Sequence, residues 1–174
     1  LERALVQTAR KLELEYFEAK QVWVRRPRAE ALAKTGKSPI TVRWIDTNKG
    51  DARNPRYRSR LVATEVKHKG YELLPGYMKH STMPPTECLK MLCSLMMTLK
   101  WSKRGRRLKM RTLDIKRAHF YPLCQRFVYV ELPEEDMTEE DKRSDMVGVL
   151  RVSLYGTRDA AANLQKEVGS FMRS

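Results

Sequence analysis

Three cysteines and three histidines in 174 residues leave little material for thiol or transition-metal chemistry. Cys88, Cys93 and Cys124 form no CxxC pair, and an odd count without metal spacing reads as free thiols in a reducing compartment. His68, His80 and His119 stand far apart, with no HExxH pattern, which argues against zinc. No apolar run approaches ~18 residues, so no membrane span is expected. A signal peptide is lacking as well, so secretion is not expected. Acidic residues are scarce: 21 against 35 Lys and Arg, for a net charge of +14. Eight of these acids fall between Glu131 and Asp145, and residues 1–130 carry 29 basic and 11 acidic residues, a net charge of +18. Such a surplus favours a polyanion, above all nucleic acid.

A hydrophobic content of 41% still permits a core. The length suits one domain or a large part of one. The chain begins at Leu1 rather than Met and stops within helical character at Ser174, and is read as a piece of something longer. Leu5, Ala9, Leu12, Tyr16, Ala19 and Trp23 follow steps of three and four, which predicts a core-facing helix over residues 1–20. A short strand, Gln21 to Arg25, should end at Pro27, followed by a helical turn closed by Gly36. Gly36-Lys37-Ser38 resembles the end of a phosphate loop, but the earlier glycine is replaced by Ala31, so a P-loop is rejected.

Ile40 to Asp46 and Arg56 to Thr64 both alternate, with the turn-rich Thr47–Asp51 between them, and predict a β-hairpin. One face of its second strand carries Arg56, Arg58 and Arg60, in a row spaced about 7 Å apart. That row either meets nucleic-acid phosphates or protects a solvated sheet edge. Pro84-Pro85 precedes Thr86, a candidate cap, and Leu89, Leu92, Cys93, Met96 and Leu99 predict an apolar helix buried against a sheet. The basic Ser102–Arg107 connector reads as a solvated loop or a phosphate contact. Phe127–Leu132 and Val147–Ser153 read as strands, and Glu134–Asp145 as an exposed acidic loop or short helix, held away from any nucleic-acid site by repulsion. After Tyr155-Gly156, the residues Ala160, Ala161, Leu164, Val168 and Phe171 predict an amphipathic helix. Its N-terminus either serves a ligand or merely follows a tight turn.

The stretch Arg107 to Phe120 organises this reading. Leu108, Met110, Thr112 and Asp114 alternate with Lys109, Arg111, Leu113 and Ile115, as in a strand. Asp114 then stands where the strand gives way to Lys116-Arg117-Ala118. A carboxylate at the end of a buried strand, flanked by cations, suits a divalent cation beside a phosphate-bearing ligand. The alternative is that Asp114 caps the next helical turn.

From about Leu12 to about Phe171 the chain resembles the reverse transcriptase region of copia-type LTR retrotransposons. The resemblance is carried by ELEYFEAKQVW, ITVRWID, RYRSRLVAT, the helix PPTECLKMLCSLMMTLKW, Leu113-Asp114-Ile115-Lys116-Arg117-Ala118, VYVELPEE, and Ser153 to Gly156. It implies an α+β right-hand polymerase: fingers over about 1–107, with the basic hairpin at 40–64 and the apolar helix at 86–100, and a partial palm over about 108–174. The expected architecture is an antiparallel sheet with helices packed on one side. The second half of the palm, the thumb and an RNase H domain are absent from these residues.

The chemistry implied by the resemblance is two-metal nucleotidyl transfer, RNA-directed, with Mg2+ or Mn2+ as cofactor. Asp114 matches the first metal-binding aspartate, and the Ile115 carbonyl a second ligand of the same cation. Arg58 and Arg60 match the fingers strand that meets the incoming triphosphate or template. Lys116, His119 and Phe120 fall in the nucleotide-facing segment after Asp114. Tyr155 and Gly156 match the turn that shapes the nucleotide pocket, with Arg158 a basic position just beyond it. Implied partners are a template–primer, dNTP and the remaining polyprotein domains, with no membrane, inside the cell in a cytoplasmic particle or the nucleus. The sequence also departs from the family. His119 stands where an aromatic residue usually screens the ribose 2′-hydroxyl. Arg158-Asp159-Ala160-Ala161 replaces Lys-Gln-Ala-Pro, and Thr64-Glu65 replaces Lys-Gly. No Asp-Asp pair is present, so two of three catalytic carboxylates are missing. The competing readings are a non-catalytic nucleic-acid-binding remnant and an ordinary basic domain.

Overall fold

The computed structural model describes residues 1–65, 85–112 and 114–173. They divide into two compact units, one formed by 1–65 with 117–173 and the other by 85–112 with 114–116. The class is α+β, with antiparallel sheets and helices, as expected. There are two small sheets among the described residues rather than one.

In the first unit, helix α1 (Arg3–Lys20) ends at Gln21 in the left-handed conformation. Its buried residues are Glu13 and Phe17, whereas Leu12 is 58% exposed. The expected stripe is therefore rotated: the side facing inward holds a carboxylate where Leu12 was expected. Strand β1 (Trp23–Pro27) lies two residues later than predicted, and Pro27 opens helix α2 (Arg28–Thr35), which Gly36 closes as expected. Strands β2 (Val42–Asn48) and β3 (Tyr57–Ala63) form the expected hairpin, with Trp44 opposite Leu61 and Thr47 opposite Arg58.

The three-stranded sheet has the order β1-β5-β4, where β4 is Tyr129–Val130 and β5 is Met146–Leu150. Both are shorter than the predicted 127–132 and 147–153. Gly148 lies opposite Arg25 in β5, and a side chain there would crowd the Trp23 ring at 3.1 Å. Ile40 stitches the two sheets together: its N–H donates to the Tyr129 carbonyl at 2.8 Å, and its own carbonyl accepts from Glu131 N–H at 2.9 Å. The core gathers Phe17, Val22, Leu61, Phe120, Val130 and Leu154. Each contributes roughly 1.5–3 kcal/mol by leaving water.

The acidic segment folds into the short helix α4 (Glu139–Arg143), with Thr138 and Asp141 completing a capping box. It is not a detached acidic loop. Asp136 and Asp141 pair with Arg25, and Glu131 and Asp145 with Arg28. Helix α5 (Ala160–Phe171) follows the Tyr155-Gly156 turn as expected.

The second unit contains helix α3 (Thr86–Leu99). Pro85 rather than Thr86 occupies the cap position, and no side chain caps the helix. Contrary to expectation the helix is not buried: Leu89, Leu92 and Leu95 are 53%, 52% and 42% exposed. Periodicity identifies an apolar face but not what covers it. The Ser102–Arg107 connector is a tight turn, in which the Ser102 carbonyl accepts from Gly105 N–H at 2.9 Å and Trp101 bridges Arg107. The strand expected over 107–115 does not form among the described residues. Alternation marks a strand only when a partner supplies ladder hydrogen bonds. Here none does beyond the Arg107 bridge, and residues 109–112 and 114–116 are exposed. Leu113 lies outside the described residues, as does 66–84. No described helix is long and apolar enough to cross a membrane.

Candidate nucleic-acid interface

The hairpin separates two kinds of residue by its period of two. Val42, Trp44, Asp46, Ser59, Leu61 and Ala63 share one face, and Arg43, Ile45, Thr47, Arg58, Arg60 and Val62 the other. On the first face Asp46 receives Arg10 from α1 at 2.6 Å, and Glu135 accepts from the Trp44 indole N–H at 3.0 Å. Arg10 also pairs with Glu135 at 2.6 Å. On the second face Arg43, Arg58 and Arg60 have no ion pair among the described residues. Neither do Lys49, Arg53 and Arg56 at or beside the hairpin tip.

The Tyr155-Gly156 turn is bonded to this hairpin. The Tyr155 carbonyl accepts from Ala63 N–H at 2.8 Å, and Gly156 has φ +85°. A Cβ at 156 would lie 2.0 Å from the Ala63 carbonyl oxygen, so only glycine permits the approach. Around the Tyr155 ring stand the Arg60 guanidinium at 5.9 Å, the His119 ring at 4.8 Å and the Phe120 ring at 5.3 Å. The structure thus brings Arg60, His119, Phe120, Tyr155 and Gly156 together. Burial pushes the Tyr155 hydroxyl pKa up, against the pull of Arg60. Burial holds the half-buried His119 below the ordinary histidine value, opposed by a backbone hydrogen bond with Ala160.

Sequence reasoning missed the residues that hold this group in place. Arg117 sits at φ +54°, uncommon for a non-glycine residue, and its guanidinium lies 3.8 Å from the Tyr16 ring centroid. It also pairs at 2.7 Å with Glu13, which is only 4% exposed. Burial raises the Glu13 pKa, while Arg117, Arg58 and Arg60 work to lower it. The signal was available: Glu13 occupies the i+4 place between Ala9 and Phe17 on an apolar face.

Arg158 lies in a second cluster. Its backbone N–H donates to Glu65 at 2.8 Å, and its Nε stands 3.9 Å from the same carboxylate. Glu65 also accepts from Arg126 at 2.6 Å, and Arg126 reaches the fully buried Asp159 at 2.9 Å. Although burial works against the charge, these two carboxylates hold Arg126 firmly protonated. Glu65 and Asp159 are thus the two acids of one ionic cluster, a pairing that no local pattern announces.

Asp114, Ile115 and Lys116 belong to the second unit and are exposed. Asp114 neither ends a buried strand nor caps a helix. The next helical turn, Ala118–Phe120, starts after Arg117 without a side-chain cap. Among the described residues no three His, Cys, Asp or Glu side chains come together as metal ligands. One exposed carboxylate and one main-chain carbonyl do not fit a resident pair of divalent cations. Cys88, Cys93 and Cys124 are free thiols, and burial pushes the Cys124 pKa up to about 11, away from nucleophilic use.

No family model matches the chain, and no curated protein and no solved structure matches it either.

Proposed function

We propose that this chain is the fingers and first part of the palm of a copia-type RNA-directed DNA polymerase, and that the outer face of the β2–β3 hairpin meets nucleic acid. The observation that carries this reading is the segregation of charge in the first unit. Arg10, Arg25 and Arg28 are each neutralised by two carboxylates. Arg43, Arg58 and Arg60 have no such partners among the described residues, although they lie in the same charged chain. Unneutralised guanidinium groups in a row suit phosphates. Tyr155 and His119 add aromatic surface beside Arg60, on which a base or sugar can rest.

Arg58 and Arg60 would hold phosphates of the template or of an incoming dNTP. Tyr155 and Gly156 would shape the adjoining pocket, with His119 and Phe120 on its sugar side. Asp114, the Ile115 carbonyl and Lys116 would enter the metal site only once further carboxylates join them, so this chain's own part is binding. Exposed Asp114, without carboxylate company among the described residues, favours a second reading, a non-catalytic nucleic-acid-binding remnant.

Binding of a short fluorescent RNA–DNA hybrid, followed by anisotropy from about 50 to about 300 mM salt, tests the interface. The expected result is a steep loss of affinity with salt. Arg58→Glu and Arg60→Glu should each reduce the slope by about one. A slope unchanged by both variants removes the hairpin face from the site.

A further inference from the structure

A cleft of about 580 Å³ in the first unit is not used by the hairpin interface. It is lined in part by Lys37 and Ser38, the residues that follow Gly36 at the end of α2, and by Arg126, Phe127 and Arg158. Its volume falls within the range of about 300–1,000 Å³ typical of small-molecule sites. Among its lining residues Arg126 and Arg158 are balanced by Glu65 and by Asp159 behind Arg126, so the net positive charge of the cleft is that of Lys37. Arg126 and Arg158 are fixed in place by Glu65, and Arg126 also by Asp159. Lys37 makes no ion pair and the Ser38 hydroxyl no hydrogen bond among the described residues, and both are exposed. Phe127 is 65% exposed, and the Lys34 ammonium lies 5.3 Å from its ring centroid. Ile40 and Val128 add apolar surface.

An uncommitted ammonium and hydroxyl next to two fixed guanidinium groups recognise a phosphate. An exposed aromatic ring in the same cleft recognises a planar heterocycle. We propose that this cleft binds a 5′-nucleotide, with its phosphate against Lys37 and Ser38 and its base against Phe127. Arg126 and Arg158, balanced by Glu65 and Asp159, form the fixed wall behind the phosphate, and Lys37 supplies the charge that meets it. The Gly36-Lys37-Ser38 triplet then works through side chains rather than through the amide cradle of a P-loop, which its sequence cannot build. The proposal uses neither Arg58 nor Arg60 and does not depend on the polymerase reading.

Titration calorimetry of the whole chain with adenosine 5′-monophosphate, inorganic phosphate and adenosine tests it. The nucleotide should bind about tenfold or more tightly than either part alone. Lys37→Glu should weaken the nucleotide by about tenfold, while Lys11→Glu, an equal charge change at an exposed site on α1, should have no effect. Phe127→Ala should weaken the nucleotide by about fivefold or more through lost stacking, and leave the phosphate affinity alone. No binding at ~10 mM nucleotide, an interaction weaker than about 3 kcal/mol, overturns the proposal. Equal losses in Lys37→Glu and Lys11→Glu also overturn it, because they assign the effect to diffuse charge. Displacement of the nucleotide by a 5′-phosphorylated oligonucleotide supports the site and identifies a strand as its natural source. Retention of the nucleotide supports the site with a free ligand. The hybrid-binding slope at Arg58 is a separate measurement, so either result can fail without the other.

Discussion

Asp46 is the carboxylate through which α1 grips the hairpin, accepting from Arg10 Nη2 at 2.6 Å and Nε at 3.3 Å. The Arg10 hydrogen bonds hold its pKa below the usual aspartate value, with burial acting in the opposite direction. An unfolded aspartate titrates near about 4. A folded value below that gives stability that is present above pH ~4 and is lost as pH falls through the folded pKa. Asp46→Asn should therefore lower the unfolding free energy by about 2 kcal/mol at neutral pH. It should also flatten the decline of stability between about pH 4 and pH 2. Denaturant titrations at several pH values check both. An acid limb identical to that of the parent chain would show that the pair contributes nothing. Glu13 has the opposite sign, since burial raises its pKa and its stabilising share fades as pH rises through the folded value. At this scale the sequence was least legible. Asp114 had the neighbours of a metal ligand but lacks the surroundings of one, and Glu13 finds its partner, Arg117, 104 positions away.

Among the α-helices, the shortest depends most on its cap. Helix α4 has five residues, too few to persist on intrinsic propensity. Thr138 Oγ1 accepts from Asp141 N–H at 3.1 Å, and Asp141 returns the bond to Thr138 N–H at 2.9 Å while also taking Arg25 at 3.1 Å. Thr138→Ala should cost about 1 kcal/mol, read as a lower denaturant midpoint. A midpoint that does not move would mean that the Arg25 pairing alone holds the segment. The hairpin and helices α1, α3 and α5 were legible because each repeats its period over several residues, whereas α2 was announced only as a turn closed by Gly36. The run 107–115 shows the limit of that reasoning. It alternates as well as β2 does, yet a strand is a property of two segments, and beyond the bridge from Arg107 to Trp101 no partner among the described residues pairs with it. The buried setting expected for α3 failed for the same reason.

At the scale of the whole chain, charge is sorted rather than spread. The acids between Glu131 and Asp145 are spent largely on Arg10, Arg25 and Arg28, which leaves the hairpin's outer arginines without an ion pair among the described residues, Arg58 and Arg60 acting on Glu13 only through space. Composition announced the surplus, but only folding shows where it stays available. The metal site that the proposed polymerase reading calls for is also a whole-molecule matter. Two-metal transfer needs several carboxylates converging on a pair of cations, and among the described residues none converge in such a group. The isolated 174 residues should give no primer extension on a template–primer with Mg2+ or Mn2+. Product above the no-enzyme background would refute this and would point to a carboxylate set formed elsewhere in the chain.

Ile40 is bonded in both directions to the same strand, and this has a mechanical consequence. A load applied along the hairpin would reach the three-stranded sheet as shear across two bonds at once, instead of unzipping them one after the other. Helix α1 holds the hairpin further out as well, through Arg10 on Asp46 and through the Glu2 N–H, which donates to the Tyr57 hydroxyl at 3.0 Å, so thermal motion should be confined to the loop around Lys49 and Gly50.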